Sequence, residues 1–318
     1  MADFRVCRDT KVMISGEDSH IKVIFEAKIC VMDRNRKIDI MGIVNLTDDS
    51  YFAGSRCLCG NDFDRMAENA LERVGRLVSE GATMIDIGAC STRPGSEPVG
   101  EEEEWRRIGT VLEPVVKAFP GIPVSIDTWW ASVIGKAFDV VAGIVGEEKA
   151  RETLVANDIS AGEDDPDMLP TVGRLGIGYV AMHKRGNSKT MQSLCQYEDV
   201  TGEVSDYFDA FSEKAKGYGI RNWTLDPGFG FAKDIDQNYR LLEELGRITS
   251  HFAPQGTRTL VGVSRKSMIY RFFGITPEES LAQTQVLHMK ALQCGADILR
   301  VHDAAEAVRT VALYRRLG

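Results

Sequence analysis

The chain predicts an α/β protein built as a single (β/α)₈ barrel with a short β-hairpin-like N-terminal extension. Three observations predict it. Short continuous apolar runs recur eight times from residue 38 onward, as strands buried on both faces should. Each run is followed by a helical stretch, the alternation that a parallel sheet needs for its crossovers. Each run also stops abruptly in polar residues, which suits strands that deliver side chains to the carboxyl end of a barrel. The rival fold, a doubly wound open sheet, would carry a Gly-rich fingerprint after its first strand, and none is present.

Taken in order, residues 1–37 are the least regular. Ile21–Phe25 alternates as a strand would and Asp33–Arg36 reads as a turn, so the segment is assigned as a hairpin packed on the barrel. Ile40–Val44 is the first barrel strand and ends in Asn45-Leu46-Thr47. Asp62–Ser79 is an amphipathic helix, with Phe63, Met66, Ala70, Val74 and Leu77 at three- and four-residue steps. Met84–Gly88 is the second strand, running out into Ala89-Cys90-Ser91-Thr92-Arg93-Pro94-Gly95. Glu101–Glu104 opens a helix that reaches Phe119, and these carboxylates are assigned to the helix dipole rather than to catalysis. Val124–Ile126 ends in Asp127, with a helix from about Trp129; Leu154–Ala156 ends in Asn157; Tyr179–Met182 ends in His183. Trp223–Leu225 ends in Asp226-Pro227-Gly228-Phe229-Gly230-Phe231. Leu260–Val263 delivers Arg265 and Lys266 to its carboxyl end, and Ser267 sits where a helix begins, a place suited to an anion. Ile298–His302 is the eighth strand and Ala304–Leu317 the closing helix. No linker, repeat or low-complexity tract divides residues 38–318, which are read as one domain.

Composition removes several classes of function. A net charge of −9 argues against a general nucleic-acid binder, which needs a basic excess. No apolar run is long enough to span a membrane, and the charged N-terminus is not a secretory signal. Seven scattered cysteines point to reduced thiols in a cytoplasm. Cys57 and Cys59 lack the partners that a zinc site would require.

The strand ends bring Asn45, Thr92, Arg93, Asp127, Asn157, Asp226, Lys266, Arg300 and His302 to one mouth. Any one of them alone reads as a buried, satisfied polar group. All of them together expect a polar ligand, because an unpaired buried polar group costs about 1–3 kcal/mol. Asp127, Asn157 and Asp226 suit a heterocycle with N–H donors, since a carboxylate can accept two hydrogen bonds from an amidine-like edge. Arg93, Lys266, Arg300 and His302 suit anions. Asn45 offers a neutral oxygen to a metal or an amide N–H to a phosphate. The chemistry is group transfer with an anionic leaving group, driven by positioning and charge stabilisation.

These strand ends resemble the dihydropteroate synthase family. The match runs through Met-Gly-Ile-Val-Asn-Leu-Thr at 41–47, Ser-Thr-Arg-Pro-Gly at 91–95, Ser-Ile-Asp-Thr at 125–128 and Asn-Asp-Ile-Ser at 157–160. It continues through Asp-Pro-Gly-Phe-Gly-Phe at 226–231, Val-Gly-Val-Ser-Arg-Lys-Ser at 261–267 and Arg-Val-His-Asp at 300–303. The resemblance implies condensation of hydroxymethyl-dihydropterin pyrophosphate with p-aminobenzoate, releasing pyrophosphate, with Mg²⁺ as the cofactor and sulfonamides as inhibitors. It implies a pterin site of Asp127, Asn157, Asp226 and Lys266, and a p-aminobenzoate site of Thr92, Arg93, Pro94, Phe231, Lys266 and Ser267. Pyrophosphate would meet Asn45, Arg300 and His302, with the metal near Asn45. Asp127, Lys266, Arg300 and His302 are the implied catalytic residues. A homodimer formed through the outer helices is also implied. The chain departs from the family at Asp48, where Pro is usual, at Ala89-Cys90, where Gly-Glu is usual, and at Phe52-Ala53; residues 1–37 and 140–151 exceed the usual pattern. A non-catalytic pterin-binding paralogue is the main alternative. A pterin-dependent methyltransferase is the other, but it has no use for Arg93, Ser267, Arg300 and His302.

Overall fold

The computed structural model describes residues 36–47, 57, 62–90, 99–186 and 189–317. Of the hairpin expected in residues 1–37, residues 1–35 lie outside the described residues. So do Asp48 and Phe52-Ala53 on the first loop and residues 91–98 on the second. Eight parallel strands close in sequence order into a barrel. They are β1 Asp39–Asn45, β2 Met84–Gly88, β3 Val124–Asp127, β4 Leu154–Asp158, β5 Gly178–Met182, β6 Trp223–Asp226, β7 Arg258–Val261 and β8 Ile298–Val301. Closure is made by β8 on β1, where Arg300 pairs with Met41.

Side chains alternate across each strand, so the register decides what fills the barrel. Met41, Val180, Leu260 and Ile298 form an interior cluster, with Met84 and Val155 against it. That layer plugs the amino end with hydrocarbon. Two residues further along, the same inward face turns polar: Ile43 pairs with Asp86, Asp86 with Ser125, and Asp127 with Asn157. The opposite face of every strand packs outward. Ile85, Ile87, Ile126, Ala156, Leu225, Val261 and Leu299 join the larger core beneath the helices. The approach there is close: a Cβ on Gly42 would lie 2.9 Å from Leu77 Cδ1. Glycine at 42 therefore lets the first helix settle onto β1.

Helices α1 Phe63–Ser79, α2 Glu101–Ala118, α3 Ala131–Val145 and α4 Glu147–Thr153 surround the first half of the barrel. Helices α5 Met168–Leu175, α6 Val200–Gly217, α7 Ile235–Glu243 and α8 Leu245–Phe252 follow, then α9 Ser267–Phe273, α10 Leu281–Gln293 and α11 Ala304–Leu317. The first begins as its sequence predicts. Asp62 caps it by accepting from the Arg65 N–H at 3.0 Å, and Met66, Ala70, Val74 and Leu77 are buried. The long stretch at 140–151 resolves into a break. Gly146, at φ +85°, ends α3 and starts α4, which leads into β4.

One expectation needs correction, and one is extended. β7 is placed two residues earlier than its apolar run implied and ends at Val261. Gly262, Val263 and Ser264 are buried but unpaired in the sheet, because the chain is already turning toward Arg265 at φ +53°. The acidic opening of α2 keeps its place at the helix start, but one of its carboxylates turns inward. Glu104 is fully buried, and among the described residues neither carboxyl oxygen has a hydrogen-bond partner.

Candidate active site

β2, β3, β4, β6 and β8 raise their last inward side chains into one cluster at the carboxyl end. Asp127 rests against Gly88, which lies 3.2 Å from its Cβ when a Cβ is built there, so the small residue makes room for the carboxylate. Arg300 spans the barrel. Its Nε donates to Asp86 Oδ2 at 2.7 Å and its Nη2 to Asp127 Oδ2 at 2.8 Å. Asn157 Nδ2 donates to both oxygens of Asp86, at 3.2 and 3.3 Å. Asp226 accepts from the Gly228 N–H at 2.8 Å, which fixes one oxygen and leaves the other to the mouth.

Lys266 comes from the turn after β7. Its Nζ donates to the Phe229 carbonyl at 2.5 Å and lies 4.8 Å from the Phe231 ring centroid. Gly262 opens the space beside it: a built Cβ would lie 3.9 Å from Arg300 Cβ and 4.0 Å from Lys266 Nζ. Ser267 is the first residue of α9, with Lys266 as its N-cap.

The charges are shaped by burial. Asp127 is pushed up to about 7 by burial, with Asp86 and Asp158 adding to the rise and Arg300 and Lys266 opposing it. Burial also raises Asp226, against the pull of Lys266. Lys266 is lowered to about 8 by burial, against the pull of Asp226. Burial works against the Arg300 charge as well, but Asp86 and Asp127 more than offset it, so its guanidinium is held above its ordinary value.

The site differs in several respects from the one read in the sequence. His302 is buried, and burial together with Arg300, Arg73 and Arg265 holds its imidazole well below the ordinary histidine value. At neutral pH it is an uncharged N–H donor and not the cation expected. Its backbone is fixed on both sides: its N–H donates to Ser264 Oγ at 3.2 Å, and its carbonyl accepts from Arg73 Nη2 at 2.5 Å. Arg265 turns away from the mouth. It makes a bidentate pair with Asp303 at 2.8 and 3.0 Å and donates to the Pro277 and Glu278 carbonyls at 2.7 Å each. Asn45 ends β1, and its carbonyl accepts from the Cys57 N–H at 2.9 Å. Thr92, Arg93 and Pro94 lie outside the described residues. Among the described residues no group of three or more His, Cys, Asp or Glu could hold a metal ion. Asp86 was missed, although a carboxylate in the middle of the apolar run Met84–Gly88 was a readable signal.

A family model described as pterin-binding enzyme matches residues 41–302. The dihydropteroate synthase of Escherichia coli strain K12 is 35% identical over 274 residues, covering 86% of this chain and 89% of that protein. A Yersinia pestis dihydropteroate synthase solved with a sulfonamide drug superposes with a TM-score of 0.78 at 32% identity, covering 90% of this chain and 95% of that one. The Xanthomonas albilineans dihydropteroate synthase with 4-aminobenzoic acid gives 0.74 at 34% identity, and its complex with 7,8-dihydropteroate gives 0.72 at 32%. Both cover 89% of this chain and 94% of theirs.

Proposed function

The chain belongs to the dihydropteroate synthases among the pterin-binding enzymes, and from that premise we propose how its own residues carry the reaction. Hydroxymethyl-dihydropterin pyrophosphate and p-aminobenzoate give dihydropteroate and pyrophosphate. The observation that carries the reading is the convergence of Asp127, Asn157 and Asp226 with Lys266 and Arg300 at one mouth. The carboxylates and the amide offer acceptors to the N–H edges of a pterin, and Lys266 offers a donor to its carbonyl. Arg300 stands between the pterin side and the mouth, and among the described residues its Nη1 has no partner. It is placed to meet the leaving pyrophosphate, with His302 adding a neutral N–H donor and Asn45 a side-chain amide.

The reaction is dissociative in this reading. The C–O bond to pyrophosphate breaks, a pterin-methylene cation forms, and the arylamine nitrogen attacks it and then loses a proton. Asp127 faces the cation, while Arg300 stabilises charge that grows only as the bond breaks. Phe231, Lys266 and Ser267, together with Thr92, Arg93 and Pro94, would hold p-aminobenzoate. Asn45 is the one neutral oxygen ligand proposed for Mg²⁺. That fits a cation carried in on the substrate pyrophosphate, since Mg²⁺ commonly takes few protein ligands beside substrate phosphates. When bound it would neutralise the departing charge.

We also propose a cytoplasmic homodimer, in which residues 38–318 form the catalytic barrel and residues 1–37 an accessory extension. Among the described residues no helix is long and apolar enough to cross a membrane. The first test is pyrophosphate release from pterin pyrophosphate and Mg²⁺, with and without p-aminobenzoate. Release that depends on p-aminobenzoate and yields dihydropteroate is expected; pterin binding without product would instead mark a non-catalytic paralogue. Asp226→Ala is expected to abolish pterin binding, because it leaves the heterocycle's donors unpaired. Normal binding by that variant would place the pterin elsewhere.

A further inference from the structure

Between β6 and α7 the chain forms a strap, residues 227–232, that lies against Lys266. Its backbone is unusual. Gly228 has φ +71°, Gly230 φ +83°, and Ala232, which is not glycine, φ +48°. A left-handed alanine is strained, so the surroundings must hold this path in place. A Cβ on Gly228 would lie 2.0 Å from the His183 carbonyl oxygen, so the strap is pressed directly onto the end of β5.

The holding group is Lys233, which is 3% exposed. Its Nζ reaches three acceptors: the Gly228 carbonyl at 3.1 Å, the Phe231 carbonyl at 3.1 Å and His183 Nδ1 at 3.0 Å. An ammonium has three N–H bonds, and here each has a partner. The other side of the strap is held by Lys266 through the Phe229 carbonyl. Asn238 completes the set by accepting from the Gly230 N–H at 2.7 Å and donating to the Lys233 carbonyl at 3.1 Å.

We propose that Lys233 is a positioning residue for the arylamine half of the reaction: it pins the strap whose outer face carries the Phe231 ring and the carbonyl that aims Lys266. The proposal rests on the synthase reading and deepens it. Lys233 touches no substrate in this scheme. It works by keeping Phe231 and Lys266 4.8 Å apart, as one wall for p-aminobenzoate.

The tripod does not depend on the lysine charge. Burial lowers Lys233 to about 7, with Lys266 and Arg185 lowering it further and Asp226 and Cys195 opposing them. His183 is held neutral by burial and by Lys233 itself. When Nζ loses its proton it keeps two N–H bonds for the two carbonyls, and it can accept from His183 once that ring carries its proton on Nδ1. The strap is therefore held on both sides of neutrality.

The test is Lys233→Met, which keeps length and removes every donor. The wild type is measured first for turnover that depends on p-aminobenzoate. Its absence would defeat the synthase reading alone; p-aminobenzoate binding to the pterin-loaded protein then reads the strap, with the same loss expected in the variant. With turnover present, the KM for p-aminobenzoate is expected to rise about tenfold in Lys233→Met, while pterin affinity, which draws also on Asp127, Asn157 and Asp226, stays within about threefold. In a Phe231→Ala background the same substitution is expected to change that KM by less than about twofold, because the wall it positions is already gone. An unchanged KM, an equal loss of pterin affinity, or full additivity in the double variant would overturn the proposal. Should Lys233→Met fail to fold, His183→Leu removes one of the three acceptors and is expected to raise the KM about threefold; no change there would overturn it too.

Discussion

A fully buried carboxylate is tolerated when donors surround it, and Asp86 has two: Arg300 Nε on one oxygen and the Asn157 amide shared across both. One side chain therefore orients a residue assigned to the pterin and a residue assigned to the pyrophosphate. Asp86→Asn keeps the shape but sets an N–H against one of those donors. We expect kcat/KM for the pterin pyrophosphate to fall about 100-fold, with the KM for p-aminobenzoate nearly unchanged; a loss confined to p-aminobenzoate would contradict this role. The pH profile belongs to the same scale. Asp127, raised to about 7, must be ionised to face a cation, and Lys266, lowered to about 8, must stay charged to hold the p-aminobenzoate carboxylate. Activity therefore rises through about 7 and falls above about 8, a bell with a narrow top. Lys266→Arg should remove the alkaline limb at some cost in rate, and a limb that persists in that variant would assign it to another group. Of the residues that the sequence marked at the strand ends, Asp127, Asn157 and Arg300 gather around Asp86, because inward strand ends converge inside the barrel. His302 shows what sequence position omits: the type promised a cation, while burial among Arg300, Arg73 and Arg265 keeps it neutral.

Helix α2 shows how an element can contradict its own pattern. Its opening carboxylates suit a helix dipole, yet the fourth of them turns inward. Burial raises Glu104 to about 7, with Asp127 and Glu101 adding to the effect and Thr128 opposing it. Its stabilising contribution is complete below its unfolded value of about 4.5 and is lost as pH rises toward about 7, because ionisation is resisted in the folded chain alone. Glu104→Gln imitates the protonated form. It should therefore raise unfolding free energy by about 2–3 kcal/mol at pH 8 and change it little at pH 4, as measured by denaturant unfolding at the two values. Equal effects at both pH values would show that the ionisation is not what matters. The strands were legible for a simple reason, since burial on both faces leaves a continuous apolar run. Their ends were less so. Gly262 and Val263 prolong the apolar run of β7, but the turn into Arg265 takes them out of the ladder. The break at Gly146 was hidden too, because glycine within an apolar helix reads equally as interior or as terminus.

The whole molecule carries its exposed apolar side chains unevenly. Phe272 and Phe273 on α9 are 60% and 53% exposed, Val286 on α10 is 68%, and Leu313 and Leu317 on α11 are 56% and 64%. These three helices follow one another around the outside of the last part of the barrel. Each copy carries a net charge of −9, so two copies repel at long range and any association must draw on apolar burial. That gives the proposed homodimer a signature beyond its mass. Light scattering on the eluting protein should show twice the chain mass at micromolar concentration, and Phe273→Asp should shift it to monomer while leaving the barrel folded. Salt should tighten the dimer, because the Debye length falls from about 10 Å at 0.1 M to about 3 Å at 1 M and screens the repulsion without weakening the apolar contact. A dimer that dissociates as salt rises would be held by charge pairs instead, and the surface of α9, α10 and α11 would not be its seam.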